Sequence, residues 1–310
     1  MRLGVLDIGS NTVHLLLVDA HPGARPIPFA SHKRPLQLVA HLDDAGNITE
    51  RGQHELVEFV REARAFAEQH EAEDVLAFAT SAIRESTNGE AVLERVHAET
   101  GTLLVELSGE EESAVTFLAV RRWFGWGSGT VLNLDIGGGS FELALGADEQ
   151  PDVAASVPLG AARLTRELLV GDPPTATSVR DARRHVRSVL AEPVAQLRAH
   201  VAPTLVTGTS KTFRSLARIT GAAPSSAGVF VRRELRLADL TLWASRLAAM
   251  SSDDRAALPG VSPARARQLL AGAIVAEAAM EGLGVDALQI CPWALREGLI
   301  LRRFDHLVSA

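Results

Sequence analysis

The sequence predicts an α/β protein of two similar domains, each a mixed sheet flanked by helices. Three observations carry that expectation. At 310 residues, 46% of them apolar, the chain exceeds the size at which one hydrophobic core usually stops growing. Short apolar runs of strand length alternate with longer segments of helical periodicity. Finally, residues 6–17 (LDIGSNTVHLLL) recur as residues 134–145 (LDIGGGSFELAL), with six of twelve positions identical and Thr12 answered by Ser140. Such a duplication dictates architecture, because each half then opens on the same strand, turn and strand.

The elements follow in order. Residues 3–7 (LGVLD) read as a buried strand and 13–19 (VHLLLVD) as a second strand, joined by a Gly/Ser/Asn turn into a hairpin. Between 49 and 70, Leu56, Val57, Phe59, Val60, Ala63 and Phe66 recur at helical spacing, and 75–79 (VLAFA) is short and strand-like. A helix over 88–99, a strand over 103–107 and an amphipathic helix over 109–124 complete the first half. Gly125, Gly127 and Gly129 then break the pattern and mark a domain boundary. The second half brings a strand over 130–136, a glycine turn and a strand over 141–146. Helices are expected near 160–169 and 177–199, a strand over 204–207, and further helices near 237–250, 263–282 and 294–304. The expected domains are 1–124 and 125–310, with the last helix able to pack back on the first domain. Two such domains facing each other would bring both turns to one central cleft.

Composition excludes several classes. One cysteine, Cys291, rules out an intramolecular disulfide framework and a multi-thiolate metal site, and fits a reducing compartment. The N-terminus lacks the pattern of a signal peptide, and no uninterrupted apolar run approaches bilayer length, so a cytoplasmic protein without membrane association is expected. A net charge of -7 argues against a nucleic-acid partner, which would require a broad basic field. Among the 31 basic residues only Lys33 and Lys211 are lysine, a bias that codon composition explains more simply than phosphate binding.

The residues that can carry chemistry cluster at the turns. In Gly9-Ser10-Asn11-Thr12 and Gly137-Gly138-Gly139-Ser140, small residues let backbone N–H groups surround an anion, and the hydroxyls and the Asn11 amide add donors. A single such turn is as well explained by hairpin geometry, but two aligned copies, each preceded by Asp, favour phosphate. Asp7 and Asp135 end their strands beside the turns, where they can hold a metal directly or through water, or else bond the turn backbone. Ser108-Gly109-Glu110-Glu111-Glu112 can supply a carboxylate that positions or deprotonates water, its pKa raised by neighbouring acids. The same residues fit a helix capping box. Thr80-Ser81-Ala82-Ile83-Arg84-Glu85 offers phosphate donors and a charge-neutralising Arg84, or an ordinary N-cap with a surface arginine. Gly208-Thr209-Ser210-Lys211-Thr212 carries the same ambiguity, and no GxxxxGK[ST] is present. Arg265, Arg267 and Arg296 fit solvated helix faces, and no HExxH, paired-His or GxSxG motif occurs.

Taken in order, these motifs resemble the exopolyphosphatase and guanosine pentaphosphatase (Ppx/GppA) family of the actin-like phosphotransferase superfamily. The matching segments are DIGSNT at 7–12, TSAIRE at 80–85, SGEEE at 108–112, DIGGGSFEL at 135–143, GTS at 208–210, RA with GA at 265–273 and ALREGL at 294–299. The resemblance implies two actin-like (ribonuclease H-like) domains with the active site in the interdomain cleft. It implies Mg2+, or another divalent cation such as Mn2+, and release of terminal phosphate from polyphosphate or of the 5'-terminal phosphate from guanosine pentaphosphate. Glu111 takes the place of the water-activating glutamate and Arg84 that of the substrate-binding arginine. Asp135 and Glu142 fall on the acidic residues beside the second loop, with Asp7 as a further metal ligand. Phosphate contacts are implied for Gly9 to Thr12, Thr80, Ser81, Gly137 to Ser140, Gly208, Thr209, Ser210, Lys211 and Arg265, and a homodimer is implied as well. Lys211 stands where the family often has Gly, and Arg267 where it commonly has Asp. Longer relatives carry a C-terminal HD-type helical domain that this chain is too short to hold, so short polyphosphates are the expected preference. Two other classes stay open: an actin-like small-molecule kinase, and a noncatalytic sensor of a guanosine alarmone.

Overall fold

In the computed structural model, which describes residues 1–19, 21 and 26–308, the first hairpin lies inside a five-stranded sheet. Its strands are β1 (Arg2–Ile8), β2 (Val13–Asp19), β3 (Ile27–Arg34), β4 (Asp74–Ala79) and β5 (Val105–Glu106), in the order β3-β2-β1-β4-β5. The β1, β2 and β3 ladders are antiparallel, whereas β4 runs parallel to β1 and β5 parallel to β4. Helix α1 (Glu50–Gln69) starts at Thr49, whose hydroxyl accepts from the Gly52 N–H. It is followed by α2 (Ser81–Arg84), α3 (Gly89–Thr100) and α4 (Gly109–Phe124). The last helix, Leu295–Val308, covers the face of the sheet formed by Leu3, Val5, Leu16, Val18 and Phe78 with its own Leu299, Ile300 and Phe304.

The second sheet repeats this topology. It comprises β6 (Val131–Ile136), β7 (Phe141–Gly146), β8 (Val153–Val157), β9 (Leu205–Gly208), β10 (Glu234–Arg236) and β11 (Ala287–Ile290), ordered β10-β11-β9-β6-β7-β8. The run β8-β7-β6-β9-β11 matches β3-β2-β1-β4-β5 in order and direction, and β10 is an antiparallel addition at the edge. Its helices are α5 (Ala161–Leu168), α6 (Ala176–Arg198), α7 (Ser210–Ile219), α8 (Leu237–Ala249), α9 (Ser252–Ala256), α10 (Pro263–Ala266) and α11 (Leu269–Leu283). Every residue of α11 from Leu269 to Met280 is buried, as an all-round apolar helix must be, and it packs on α5, α6, α7 and α8.

The chain divides into two units, Met1–Thr116 with Leu295–Ala310, and Phe117–Ala294. The division falls inside α4 rather than at the glycine-rich break after it. Val115 packs with the first sheet, whereas Phe117 and Val120 join Val131 and Ala144 of the second. Other differences from the sequence expectation concern edges and breaks. The strand expected over 103–107 shortens to β5, and the helix expected over 263–282 is two helices interrupted at Arg267 and Gln268. Strands β3, β8, β10 and β11 were not expected: β3 carries Pro28 and runs from apolar Ile27–Ala30 into polar Ser31–Arg34 without alternation, which an exposed edge strand tolerates, and β10 and β11 are too short to show a period. Among the described residues, no helix is long and apolar enough to cross a membrane.

Candidate active site

The two turns close in the same way. The Gly9 N–H donates to the Thr12 carbonyl at 3.2 Å, and the Gly137 N–H to the Ser140 carbonyl at 3.0 Å. None of Gly9, Gly137, Gly138 or Gly139 takes a positive φ, so hairpin handedness does not explain these glycines. At Gly9 and Gly137 a Cβ would stand 3.1 Å and 3.2 Å from the Thr12 and Ser140 carbonyl oxygens, so the missing side chain lets each turn close tightly.

In the first unit, Ser10 and Asn11 are buried, and the Ser10 Oγ lies 2.9 Å from the Ser81 Oγ. The Thr80 N–H donates to the Ile8 carbonyl at 3.2 Å. DIGSNT and TSAIRE thus meet at the C-terminal ends of parallel β1 and β4, the end at which α/β sheets hold ligands. Thr80 does not cap α2; its hydroxyl reaches the Ile8 carbonyl instead. Behind the turn, Asp7 stands opposite His14 across the ladder, and Arg296 touches both, with its Nη1 at 3.7 Å from Asp7 Oδ2 and in contact with His14 Nδ1. Burial raises the Asp7 carboxyl above its ordinary value, with Arg296 opposing. Burial, reinforced by Arg296, pushes His14 down to about 3, so its imidazole is neutral. Arg296 is therefore no solvated helix face: the fold turns it inward onto the strand pair.

In the second unit the turn carbonyls face α5. Gly137 accepts from the Ala161 N–H, Gly138 from Ala162 and Arg163, and Gly139 from Gly160. These bonds satisfy donors that a helix start otherwise leaves unpaired. In a planar trans peptide the next N–H points opposite the carbonyl, so the N–H groups of Gly138, Gly139 and Ser140 face away from α5 together. Successive backbone N–H groups on the open side of a turn are donors of the kind that anions use. Gly160 makes the arrangement possible, since a Cβ there would stand closer than 3.0 Å to the Gly138 and Gly139 backbone.

Beside that turn, Asp135 and Glu142 are directly opposed across β6 and β7. Asp135 Oδ2 accepts from Thr209 Oγ1 at 2.7 Å and Glu142 Oε1 from Ser156 Oγ at 3.0 Å. Two carboxylates in that register repel each other, and a cation between them and a phosphate removes the repulsion. The pair fits Mg2+, which takes one or two carboxylates and completes its shell with water and phosphate oxygens. Asp7 fits less well, because Arg296 already faces its carboxylate. Among the described residues, no group of three or more His, Cys, Asp or Glu forms a closed metal cage. Thr209 is fully buried and also bonds the Leu134 carbonyl, and Ser210 holds a φ of 69°, a strained backbone for a non-glycine residue that is typical of ligand-binding turns. Lys211 Nζ donates to the Gly260 carbonyl at 3.2 Å, and Arg265 lies on α10.

Glu111 forms the capping box: its Oε2 accepts from the Ser108 N–H at 2.8 Å, and its own N–H donates to Ser108 Oγ at 3.1 Å. The neighbouring acids do not raise its pKa. Hydrogen bonds from the Ser108 backbone and hydroxyl hold it below the ordinary value, with Arg302 adding to the effect. The depressed value means that the carboxylate's stabilising contribution is present above its unfolded pKa and lost as pH falls through the folded one. Ser108→Ala removes one of the two donors, so the Glu111 titration midpoint, followed by carbon-13 NMR, is expected to rise toward the ordinary value. Arg84 Nη1 donates to the Leu107 carbonyl at 2.6 Å and pairs with Glu112 at 3.4 Å, which ties TSAIRE to the start of α4.

The Ppx/GppA phosphatase family matches residues 17–307. The chain belongs to this family. Exopolyphosphatase 1 of Mycobacterium tuberculosis is 53% identical over 305 residues, spanning 98% of this chain and 89% of the relative. Exopolyphosphatase 2 of the same organism is 30% identical over 97% of this chain and 98% of its own length. The crystal structure of an exopolyphosphatase from Cytophaga hutchinsonii superimposes with a TM-score of 0.88 over 99% of this chain and 98% of that one, at 24% identity. The Aquifex aeolicus PPX-GPPA enzyme gives a TM-score of 0.79 at 26% identity, over 97% of this chain and 99% of its own. The two-domain actin-like α/β fold expected of a Ppx/GppA phosphatase is the fold observed, and membership makes the chain a hydrolase of phosphoanhydrides.

Gly160 escaped the sequence reading, its only signal being a small-residue run at a helix start. Arg296 was read in ALREGL as a solvated helix face, and its inward pairing with Asp7 and His14 was missed because those partners are far away in the chain.

Proposed function

We propose that this Ppx/GppA phosphatase is an exopolyphosphatase that releases terminal phosphate from inorganic polyphosphate. The observation that carries the reading is the 53% identity to Exopolyphosphatase 1 over 98% of the chain. The geometry is compatible with it: both turns close alike beside strand ends, and the carbonyls of Gly137, Gly138 and Gly139 are taken up by the start of α5, which turns the following N–H groups away from that helix. A divalent cation, Mg2+ or Mn2+, bound at Asp135 and Glu142 would neutralise charge on the phosphates. Phosphoryl transfer passes through a loose transition state that asks chiefly for positioning and charge stabilisation. A carboxylate with a depressed pKa suits that demand, since Glu111 orients water rather than having to be a strong base. The water oxygen bonds to the terminal phosphorus as the bridging P–O bond breaks, and the water proton leaves by way of Glu111. Arg84 Nη1 is engaged by Leu107 and Glu112 and its Nη2 stands 3.9 Å from Glu85 Oε1, so a substrate phosphate would share the guanidinium with these carboxylates. Thr80, Ser81, Gly208, Ser210, Lys211 and Arg265 complete the proposed phosphate contacts. The single buried Cys291 accords with a cytoplasmic setting.

The test is phosphate release measured side by side on polyphosphates of defined length, guanosine pentaphosphate and ATP. Polyphosphate is expected to be cleaved best, with a chelator abolishing release and Mg2+ restoring it. Preferential cleavage of guanosine pentaphosphate would replace this reading by that of the nucleotide phosphohydrolase, and ATP-dependent phosphorylation of an acceptor by that of a kinase. Asp135→Asn is expected to raise the Mg2+ concentration for half-maximal activity by about tenfold or more, measured by metal titration.

A further inference from the structure

We propose that Arg296 is a positioning residue for the hydrolysis: its guanidinium clamps the Asp7/His14 cross-strand pair and thereby fixes the Gly9 to Thr12 phosphate turn. The inference rests on the exopolyphosphatase reading. Arg296 lies in ALREGL, whose residues take no part in the chemistry above. The pair it touches is one step from the end of the ladder, since Ile8 and Val13 close the hairpin and the turn follows directly. One planar group contacting both strands sets their separation and slide at that point, and so sets where the turn amides aim.

The hydrogen-bond chemistry of the clamp is one-sided. Arginine has only donors, so His14 Nδ1 must accept from it and the ring proton must sit on Nε2. That Nε2 is buried with no partner among the described residues. A buried donor left unmade costs stability, and an apolar residue at position 14 would avoid the cost. Stability therefore does not explain the pair, whereas a requirement for geometry at the turn does. In the second turn the equivalent register positions, Asp135 and Glu142, bond the hydroxyls of Thr209 and Ser156. The duplicated hairpin thus has an arginine behind one turn and an acidic pair behind the other.

The test compares kcat and KM on polyphosphate of defined length for wild type, Arg296→Met, Arg296→Lys, Asp7→Asn and the Arg296→Met/Asp7→Asn double variant, each checked by thermal melt. Arg296→Met is expected to lower kcat about tenfold or more at a temperature where the protein remains folded, as small misplacements of a binding group do. Lysine should recover part of the loss. In the Asp7→Asn background the same change should cost about threefold or less, because the two residues act as one unit. Wild-type kcat in Arg296→Met, or in Arg296→Lys should the methionine variant not fold, overturns the proposal, as does an undiminished loss in the Asp7→Asn background. A wild-type protein that releases no phosphate from polyphosphate overturns the functional reading instead, so the two failures are distinct.

Discussion

Glu111→Gln is expected to lower kcat for phosphate release from polyphosphate by about 10²- to 10⁴-fold while leaving binding nearly intact. The substitution is informative because it spares the fold. Glutamine serves in a capping box as glutamate does, and its amide oxygen can accept the Ser108 N–H that Glu111 Oε2 accepts at 2.8 Å. The carboxylate proposed to orient water is lost without loss of the helix start. The experiment pairs single-turnover phosphate release with equilibrium binding of polyphosphate and a thermal melt. Full turnover by the variant would remove Glu111 from the chemistry and leave it as a cap.

Gly160→Ala is expected to cost about 1–3 kcal/mol or more of stability in the second unit and to raise KM for polyphosphate strongly. A methyl group at position 160 meets the Gly138 and Gly139 backbone at a distance that real Cβ atoms essentially never show. Flexible side chains can yield to such an intrusion, but peptide groups held by three further hydrogen bonds from Ala161, Ala162 and Arg163 cannot do so without turning. If they turn, the N–H groups of Gly138, Gly139 and Ser140 turn with them and the proposed phosphate donors are re-aimed. A melt and a Michaelis–Menten series check both effects, and unchanged values would mean that the turn tolerates rotation and that its amides are not preorganised.

The parts of the fold legible in the sequence are those with a local signal. The repeated LDIG segments announced two hairpins, and the observed sheets match strand for strand through five positions. Of the candidate site, what was legible is the local geometry of contiguous motifs: the two turns, Asp135 at its strand end and the capping box of Ser108 and Glu111. Strand β3 was illegible because an edge strand need not be apolar, and Pro28 argues against a strand from sequence alone. Glu111 was legible as a residue but not as an environment: adjacent acids implied a raised pKa, whereas the Ser108 donors lower it. Arg296 was legible as part of ALREGL but its pairing with Asp7 was not, because side-chain contacts between the ends of a chain leave no mark on spacing.

The packing of the last helix has a consequence for biosynthesis. Leu299, Ile300 and Phe304 cover Leu3, Val5, Leu16, Val18 and Phe78, so the face completed last belongs to strands emerging first. During vectorial synthesis that face waits, uncovered, while the whole of Phe117–Ala294 is translated. The second unit, continuous in the chain, can close its core before the first, reversing the order of coding. An apolar sheet face exposed for that interval is a natural substrate for chaperones, and the nascent chain acquires a finished phosphate turn only when Arg296 has left the ribosome.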